Sequence, residues 1–297
     1  LIFNKIWVSS FLKREEAEDI HGMLHDNALP FTTGSQIVSA LMLGLQEAFD
    51  REKILLLFDA ASHPNEEVKV RALISILITL YTYRKRTQLY PQIADRLAAL
   101  AETPGFIKTI RTIILRFILA RETEKITRKL QDEIIPEMLK LSPKLSKKIN
   151  LNELTPEDLT GNEMNPEWES FFSDSTLGKK MVEFGELQQE GADVMHSTFV
   201  HLKNFPFFHE LSNWLLPFTI EHSYFDDQFT PDNEAEKQML DSMTFAAFMC
   251  NSDKYSLYFS MMQLPKEARK MMMNQFDSQA TEMIQQNKEE LINKRGK

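Results

Sequence analysis

The first residues in the chain whose types and spacing suggest chemistry are His21 and His25, which stand four positions apart in "HGMLH". On a helix this spacing places two imidazoles one turn apart, as in helical zinc sites. The metalloprotease pattern needs a glutamate general base directly after the first histidine, and Gly22 occupies that position. The pair therefore indicates the polar face of an N-terminal helix more than a zinc centre.

A second group of candidate ligands lies in the C-terminal half and consists of three carboxylates and three imidazoles: Glu186, Glu190, Asp193, His196, His201 and His209. The carboxylates recur at helical spacing, and a carboxylate stripe facing histidines can build a metal site inside a helix bundle. However, His196 and His201 are five positions apart, so they point in different directions on a helix. The paired Glu-x-x-His signature of di-iron bundles is also missing, which favours core or surface roles.

Motifs for other kinds of chemistry are missing from the sequence. It contains no glycine-rich phosphate loop, no Cys-x-x-Cys pair and no nucleophile elbow. The single cysteine, Cys250, cannot form an internal disulfide, and its flanks "AAFMCNS" are typical of a buried, inert thiol. We therefore predict a protein that is not an enzyme and has no cofactor. A helical enzyme with a metal site near His196 and His201 is kept as a third hypothesis.

Positive charge is concentrated in one part of an acidic chain whose net charge is −9. Residues 108–148 contain eleven Lys and Arg against five Asp and Glu, whereas residues 149–297 contain twelve against twenty-five. The basic side chains at the start of this stretch are Lys108, Arg111, Arg116, Arg121, Lys125, Arg128 and Lys129. They support an alternative hypothesis, a HEAT-like nucleic-acid-binding protein that uses the basic stretch 108–129.

Two features argue against nucleic acid, and favour basic side chains that are solvated or face acidic parts of the same chain. No exposed aromatic rings are expected between the basic residues, although proteins usually bind single strands by stacking bases on such rings. The net negative charge of the chain would also repel a polyanion except at close range.

The elements that must position these residues are predicted to be helices. Hydrophobic residues make up 43 % of the 297 residues and charged residues 26 %, a composition that can bury a globular core. Only 9 glycines are present, and tight β-turns need glycine most. Alternating runs of Val, Thr and Tyr, which are typical of strands, are also missing. We predict an all-α fold.

One helix is predicted to be buried on nearly all sides. The apolar run 72–83 is shorter than the roughly 20 residues that a membrane span needs, so no membrane insertion is expected. Arg71, Ser75 and Thr79 recur every four residues and form one narrow polar stripe on an otherwise apolar cylinder. A helix of this kind is an inner helix with neighbours on several sides.

A repeat with a period near forty residues connects this helix to its neighbours. The segment 51–81 aligns with 91–121, and a weaker copy covers 10–49. In each copy the sequence predicts an amphipathic helix, then a turn with Pro, Asn or Gly, and then a more hydrophobic second helix. In HEAT repeats the second helix often opens with an acidic residue, then Val, then Arg and Ala, and the residues here are Glu67, Val68, Arg71 and Ala72. Over about residues 10–135 the chain thus resembles a HEAT-like helical repeat protein.

The resemblance implies an α-α superhelix of stacked HEAT-like helical hairpins, whose concave surface binds other macromolecules. A simple antiparallel bundle can mimic two such copies and is the alternative. In the predicted domain organisation, residues 1–140 form the HEAT-like unit, 141–166 a linker, and 167–297 a second, irregular all-α unit rich in aromatic residues. The polar linker contains three prolines and lacks helical periodicity.

Several predicted helices of the second unit open with a capping residue, a proline and acidic residues. These openings resemble those of tetratricopeptide-type helix pairs. Because the chain opens at Leu1 and its last helix runs to Lys297, we interpret it as a fragment of a longer bacterial repeat protein whose native N-terminus is missing. A lone cysteine and the absence of glycosylation sequons suggest the cytoplasm.

These observations predict a non-catalytic scaffold that binds a protein partner, of unknown identity, through stacked helical hairpins. The partner-binding side chains are expected to be exposed basic residues on the second helices of the hairpins, namely Arg71, Lys108, Arg111, Arg116 and Arg121.

Overall fold

The computed structural model describes three continuous parts of the chain, residues 2–121, 202–225 and 249–263, and a few single positions between them. Every regular element in these parts is a helix, and none of the described residues forms a strand, which confirms the all-α class. The predicted linker 141–166 and the group from Glu186 to His201 lie outside the described residues. Lys125 and Lys129 of the basic stretch do as well.

Seven α-helices fill the first part. Their bounds are Ile2–Val8 (α1), Arg14–His25 (α2), Phe31–Glu47 (α3), Arg51–Ala60 (α4), Glu66–Thr82 (α5), Pro91–Ala101 (α6) and Phe106–Ala120 (α7). The later parts contain Leu211–Trp214 (α8) and Asn251–Met262 (α9), and 3₁₀ turns cover Thr87–Leu89, Pro206–His209 and Ser223–Phe225. The helix pairs α2/α3, α4/α5 and α6/α7 fall within the three copies of the sequence repeat.

Local sequence explains where several of these helices begin. The Asp50 carboxylate accepts hydrogen bonds from the backbone N–H groups of Glu52 (2.7 Å) and Lys53 (3.3 Å), and it caps α4. Asn65 caps α5 in the same way. Pro91 occupies the first turn of α6, where its missing N–H costs nothing.

Helices α1 to α6 are joined by contacts between neighbouring helices. Helix α4 contacts both α2 and α6, and helix α3 contacts both α1 and α5. The two helices of each hairpin, α2/α3 and α4/α5, also contact each other, and α3 contacts α4. One hydrophobic core runs through all of these elements and includes Val38, Leu41, Leu57 and Val68, each 0 % exposed.

Helix α5 is the inner helix that the sequence predicts. None of its residues from 67 to 80 is exposed, and the stripe residues Ser75 and Thr79 are fully buried. Two bonds join this helix to α3, because Arg71 donates to Ser39 and the hydroxyl of Tyr83, the residue after α5, donates to the carbonyl of Leu45. The stripe therefore lies along α3, where small residues allow close approach of the two helices.

The chain divides into two compact units. The first comprises residues 1–115 and 206–218, and the second comprises 116–205 and 219–297. The predicted boundaries at 140 and 167 stay a prediction, since the residues around them lie outside the described parts.

The described residues of the second unit include a group of packed aromatic rings. The Phe225 ring lies 5.4 Å from Tyr258 and 5.5 Å from Phe259, and all three side chains are buried. The Tyr255 hydroxyl accepts from the backbone N–H of Thr219 and donates to its carbonyl, and burial raises the pKa of this phenol. Among the described helices, none combines the length and apolarity that crossing a bilayer would require.

Candidate interaction surface

Arg71 is the predicted site residue that the structure places differently from expectation. Its side chain is 18 % exposed, not exposed as we expected. One guanidinium nitrogen donates to the Ser39 hydroxyl (2.8 Å) and to the carbonyl of Leu215 (2.5 Å), and the other is paired with Glu67 (2.7 Å). These bonds join α5, α3 and the residue after α8 inside the first unit.

The physical reason for this difference is the close packing of α5. Because α5 has neighbours along most of its length, the end of its polar stripe faces other parts of the chain and little water. The guanidinium satisfies the Leu215 carbonyl, as a buried polar group requires. This placement points to a structural role for Arg71.

The other four predicted residues lie on α7 or directly after it, and all four are exposed: Lys108, Arg111, Arg116 and Arg121. Within the part of the chain that the structure describes, none of them forms an ion pair. The structure therefore brings these four together along one helix and leaves Arg71 apart from them.

The same helix exposes large apolar side chains, which the sequence analysis did not anticipate. Ile107 is 54 % exposed, Ile114 43 %, Leu115 55 % and Ile118 57 %. An adjacent side is covered, because Ile113 is buried and Phe106 and Ile110 pack against the core. Helix α7 is amphipathic, with Lys108, Thr112 and Arg116 on its polar side, but its apolar face is wider than the part that the core covers.

Phe117 corrects one argument made against nucleic acid. No exposed aromatic ring was expected among the basic residues, yet Phe117 is 43 % exposed and sits next to Arg116. The expectation was wrong because α7 carries more apolar residues than its single covered side can bury. We call Ile107, Ile114, Leu115 and Ile118, together with Arg111 between them, the α7 strip.

The His21 and His25 pair lies on α2 as predicted, with ring centroids 4.5 Å apart. His21 Nδ1 lies 3.2 Å from a carboxylate oxygen of Asp59, and the other oxygen of that carboxylate accepts from Arg96 at 3.0 Å. Asp59 thus connects α2 and α6 through α4. No set of three or more metal-binding side chains occurs among the residues that the structure describes.

A serine, a lysine and a cysteine meet in the second unit. Lys203 donates to the Ser252 hydroxyl (3.1 Å) and to the Asp253 carboxylate (2.7 Å), while the Cys250 sulfur lies 3.3 Å from the same hydroxyl. A nucleophilic serine needs a base to accept its proton, and Lys203 is here a donor paired with a carboxylate. Cys250 is exposed, although we predicted a buried thiol, but the desolvation of its sulfur still raises the thiol pKa and so lowers its reactivity at neutral pH.

Sequence reasoning also missed a buried cation at the start of α4. Lys53 is 0 % exposed, donates to the carbonyl of Ser9 at 2.5 Å, and has its pKa lowered by burial, an effect that the nearby Asp50 charge opposes. Gly44 faces the ammonium and borders a cleft of about 240 Å³ lined also by Trp7 and Glu47. The absence of a side chain at Gly44 is the sequence signal that could have indicated this close approach.

Among the described residues, the α7 strip combines exposed apolar side chains with an arginine that forms no ion pair, whereas Arg71 and Lys203 are held by internal hydrogen bonds. Comparison of the chain with family models, curated proteins and solved structures finds no match.

Proposed function

We propose that the protein is a non-catalytic interaction scaffold built from stacked helical hairpins, and that a protein partner binds the α7 strip. The exposure of four large apolar side chains on one side of α7 carries the proposal. Monomeric proteins rarely expose contiguous apolar surface of this kind, and such patches commonly mark interaction sites.

The packing order of the helices supports the HEAT-like part of the proposal. In a solenoid each hairpin contacts its chain neighbours, and the last hairpin presents an apolar face to whatever follows it. Here α4 contacts both α2 and α6, and α3 contacts both α1 and α5, as expected if successive hairpins stack. A cytoplasmic location, suggested by the cysteine usage, belongs to the same proposal.

The test is a change of Ile114 to glutamate in the full chain. A charge in the middle of an apolar interface is costly, so we expect the amount of partner recovered by affinity purification from cells of the source organism to fall roughly tenfold. Leu89→Glu is the matched control, because Leu89 is 75 % exposed and lies on the 3₁₀ turn before α6. Equal recovery with both variants would refute the α7 strip as the binding surface.

Nucleic acid remains the second candidate, because Phe117 is exposed among four exposed basic side chains. A gel-shift titration of duplex and single-stranded oligonucleotides at low salt tests it. Binding that weakens with salt and is lost in Arg116→Glu would favour it. No retention at low salt would eliminate it and leave the protein scaffold.

A further inference from the structure

We propose that the partner of the α7 strip is an amphipathic helix that carries acidic residues, and that it lies along α7 with carboxylates opposite Arg111 and Arg121. The proposal rests on the proposed function and names the kind of partner that the surface fits.

The spacing of the α7 strip favours a helix as the occupant. Ile107, Arg111, Ile114, Ile118 and Arg121 follow one another at intervals of four, three, four and three. This is the spacing of the contact positions when two helices pack side by side. The three isoleucines supply apolar contacts along two heptads, and Leu115 broadens the contact beside them.

The charges on α7 favour an acidic partner. Helix α7 contains no Asp or Glu, and its charged residues are Lys108, Arg111 and Arg116, with Arg121 directly after it. A helix covering the strip would remove Arg111 from water, because Arg111 lies between Ile107 and Ile114. A guanidinium taken out of water needs a carboxylate to offset its desolvation.

The same argument opposes two other occupants. If α7 paired with α7 of a second copy, neither helix would contribute a carboxylate, and the guanidinium groups would be buried among isoleucines or face each other. Nucleic acid phosphates could pair with the arginines, but they would leave Ile107, Ile114 and Ile118 without apolar contact.

Photo-crosslinking in the full chain tests the identity of the occupant. A photoreactive amino acid replaces Ile114, or Leu89 as the control, in protein expressed in cells of the source organism, and mass spectrometry identifies the cross-linked segment. We expect a segment with apolar residues at three- and four-residue spacing and with Asp or Glu beside them. Cross-links to a segment without acidic residues, or to a second copy of this chain, would overturn the acidic helix while leaving the interaction surface intact. Cross-links to an acidic segment of the same chain would overturn both the partner helix and the interaction surface. Cross-links to nucleic acid, or none above the Leu89 control, would overturn both.

A charge exchange gives a second readout with a defined probe. Two labelled helical peptides with the same leucine seam, one flanked by glutamates and one by lysines, are titrated with the full chain by fluorescence anisotropy. We expect the glutamate peptide to bind at least about tenfold more tightly, and Arg111→Glu combined with Arg121→Glu to reverse the preference. No preference, or no reversal in a variant with unchanged circular dichroism, would overturn the inference.

Discussion

At the scale of single residues, the first unit depends on a few polar side chains that connect separate segments. The Asp50 carboxylate is 4 % exposed, caps α4 and also accepts from the backbone N–H of Leu12 at 2.6 Å. Lys53 donates to Ser9 in the same loop between α1 and α2. Two neighbouring side chains on α4 thus hold a loop about forty residues away in sequence.

Asp50→Ala should lower the free energy of unfolding by about 2–4 kcal/mol, because it removes a helix cap and leaves the buried Leu12 N–H without its acceptor. Asp50→Asn should cost roughly half as much, since its single oxygen can serve only one of the two tasks. Urea unfolding of both variants measures the difference. Equal, small losses would show that the Leu12 contact contributes little.

Lys53 should make stability depend on pH in a defined direction. Because burial lowers the pKa of this ammonium in the folded state, the folded protein loses the proton at lower pH than the unfolded chain does. The unfolding free energy of the wild type, relative to that of Lys53→Met, should therefore rise as pH increases from the lowered pKa toward the usual lysine value. Urea unfolding of both proteins at pH 7.5 and pH 9.5 measures this, and a difference that falls with pH would contradict it.

At the scale of elements, two helical glycines differ in whether another part of the chain approaches them closely. A methyl group at Gly44 on α3 would overlap the Lys53 ammonium and lie 3.0 Å from the carbonyl oxygen of Trp7. A methyl group at Gly22 on α2 would meet nothing within 4 Å. Both glycines lie inside helices, so they form a matched pair.

Gly44→Ala should destabilise the protein by about 1–3 kcal/mol, because the buried lysine and the α1 backbone must move to accept the methyl group. Gly22→Ala should stabilise it by about 0.5–1 kcal/mol, since alanine restricts the unfolded chain and favours helix. Thermal or urea unfolding of both variants shows whether each substitution lowers or raises the free energy of unfolding. A stabilised Gly44→Ala variant would show that Lys53 moves away at little cost.

The element scale also explains the unusual character of α7. Helix α5 meets the general rule that an apolar helix is buried, because α3 and α4 both pack against it. Helix α7 has a similar apolar content, but the core of the first unit covers only the side that carries Ile113. The two helices also differ in sequence, because α7 has a broad polar side that includes Lys108, Thr112 and Arg116, whereas α5 has only the narrow stripe.

At the scale of the whole molecule, one side chain ties together distant parts of the chain within the first unit. Arg71 and the Leu215 carbonyl are 144 positions apart in sequence. Residues 205 and 219, on either side of the segment 206–218, are assigned to the second unit. The hydrogen bond from Arg71 to Leu215 therefore helps to hold residues 206–218 in the first unit.

Arg71→Ala should lower the unfolding free energy by roughly 2–4 kcal/mol and speed chymotryptic cleavage within 206–218, because the Leu215 carbonyl and Ser39 lose their donor. Arg96→Ala is the control, since the Arg96 side chain is 53 % exposed and its ion pair with Asp59 contributes at most about 1 kcal/mol. If Arg71→Ala lost only partner capture, with stability matching the control, Arg71 would instead be a contact residue as the sequence first suggested.

Much of the helical architecture could be predicted from local patterns. The scarcity of glycine and the absence of alternating strand patterns predicted an all-α chain, and the repeat period located three helix pairs. The spacing of Arg71, Ser75 and Thr79 correctly predicted an inner helix. These inferences succeed because helix formation and amphipathic burial depend on residues within one or two turns of each other.

The candidate site was predicted only in part, because exposure depends on long-range packing. Lys108, Arg111, Arg116 and Arg121 were identified by charge, but nothing local distinguishes them from Arg71, which the fold covers. The exposed isoleucines of α7 resemble the buried ones of α5 in sequence.

By itself, the sequence determined the all-α class, the three helix pairs of the first part and the inner position of α5, since helix formation and amphipathic patterns arise from neighbouring residues. Only the tertiary structure decided that Arg71 bonds to Leu215, that Lys53 is buried against Gly44, and that one side of α7 stays open. Each of these outcomes depends on which distant segment occupies a given face, and the free energy of that choice is shared among residues far apart in the chain.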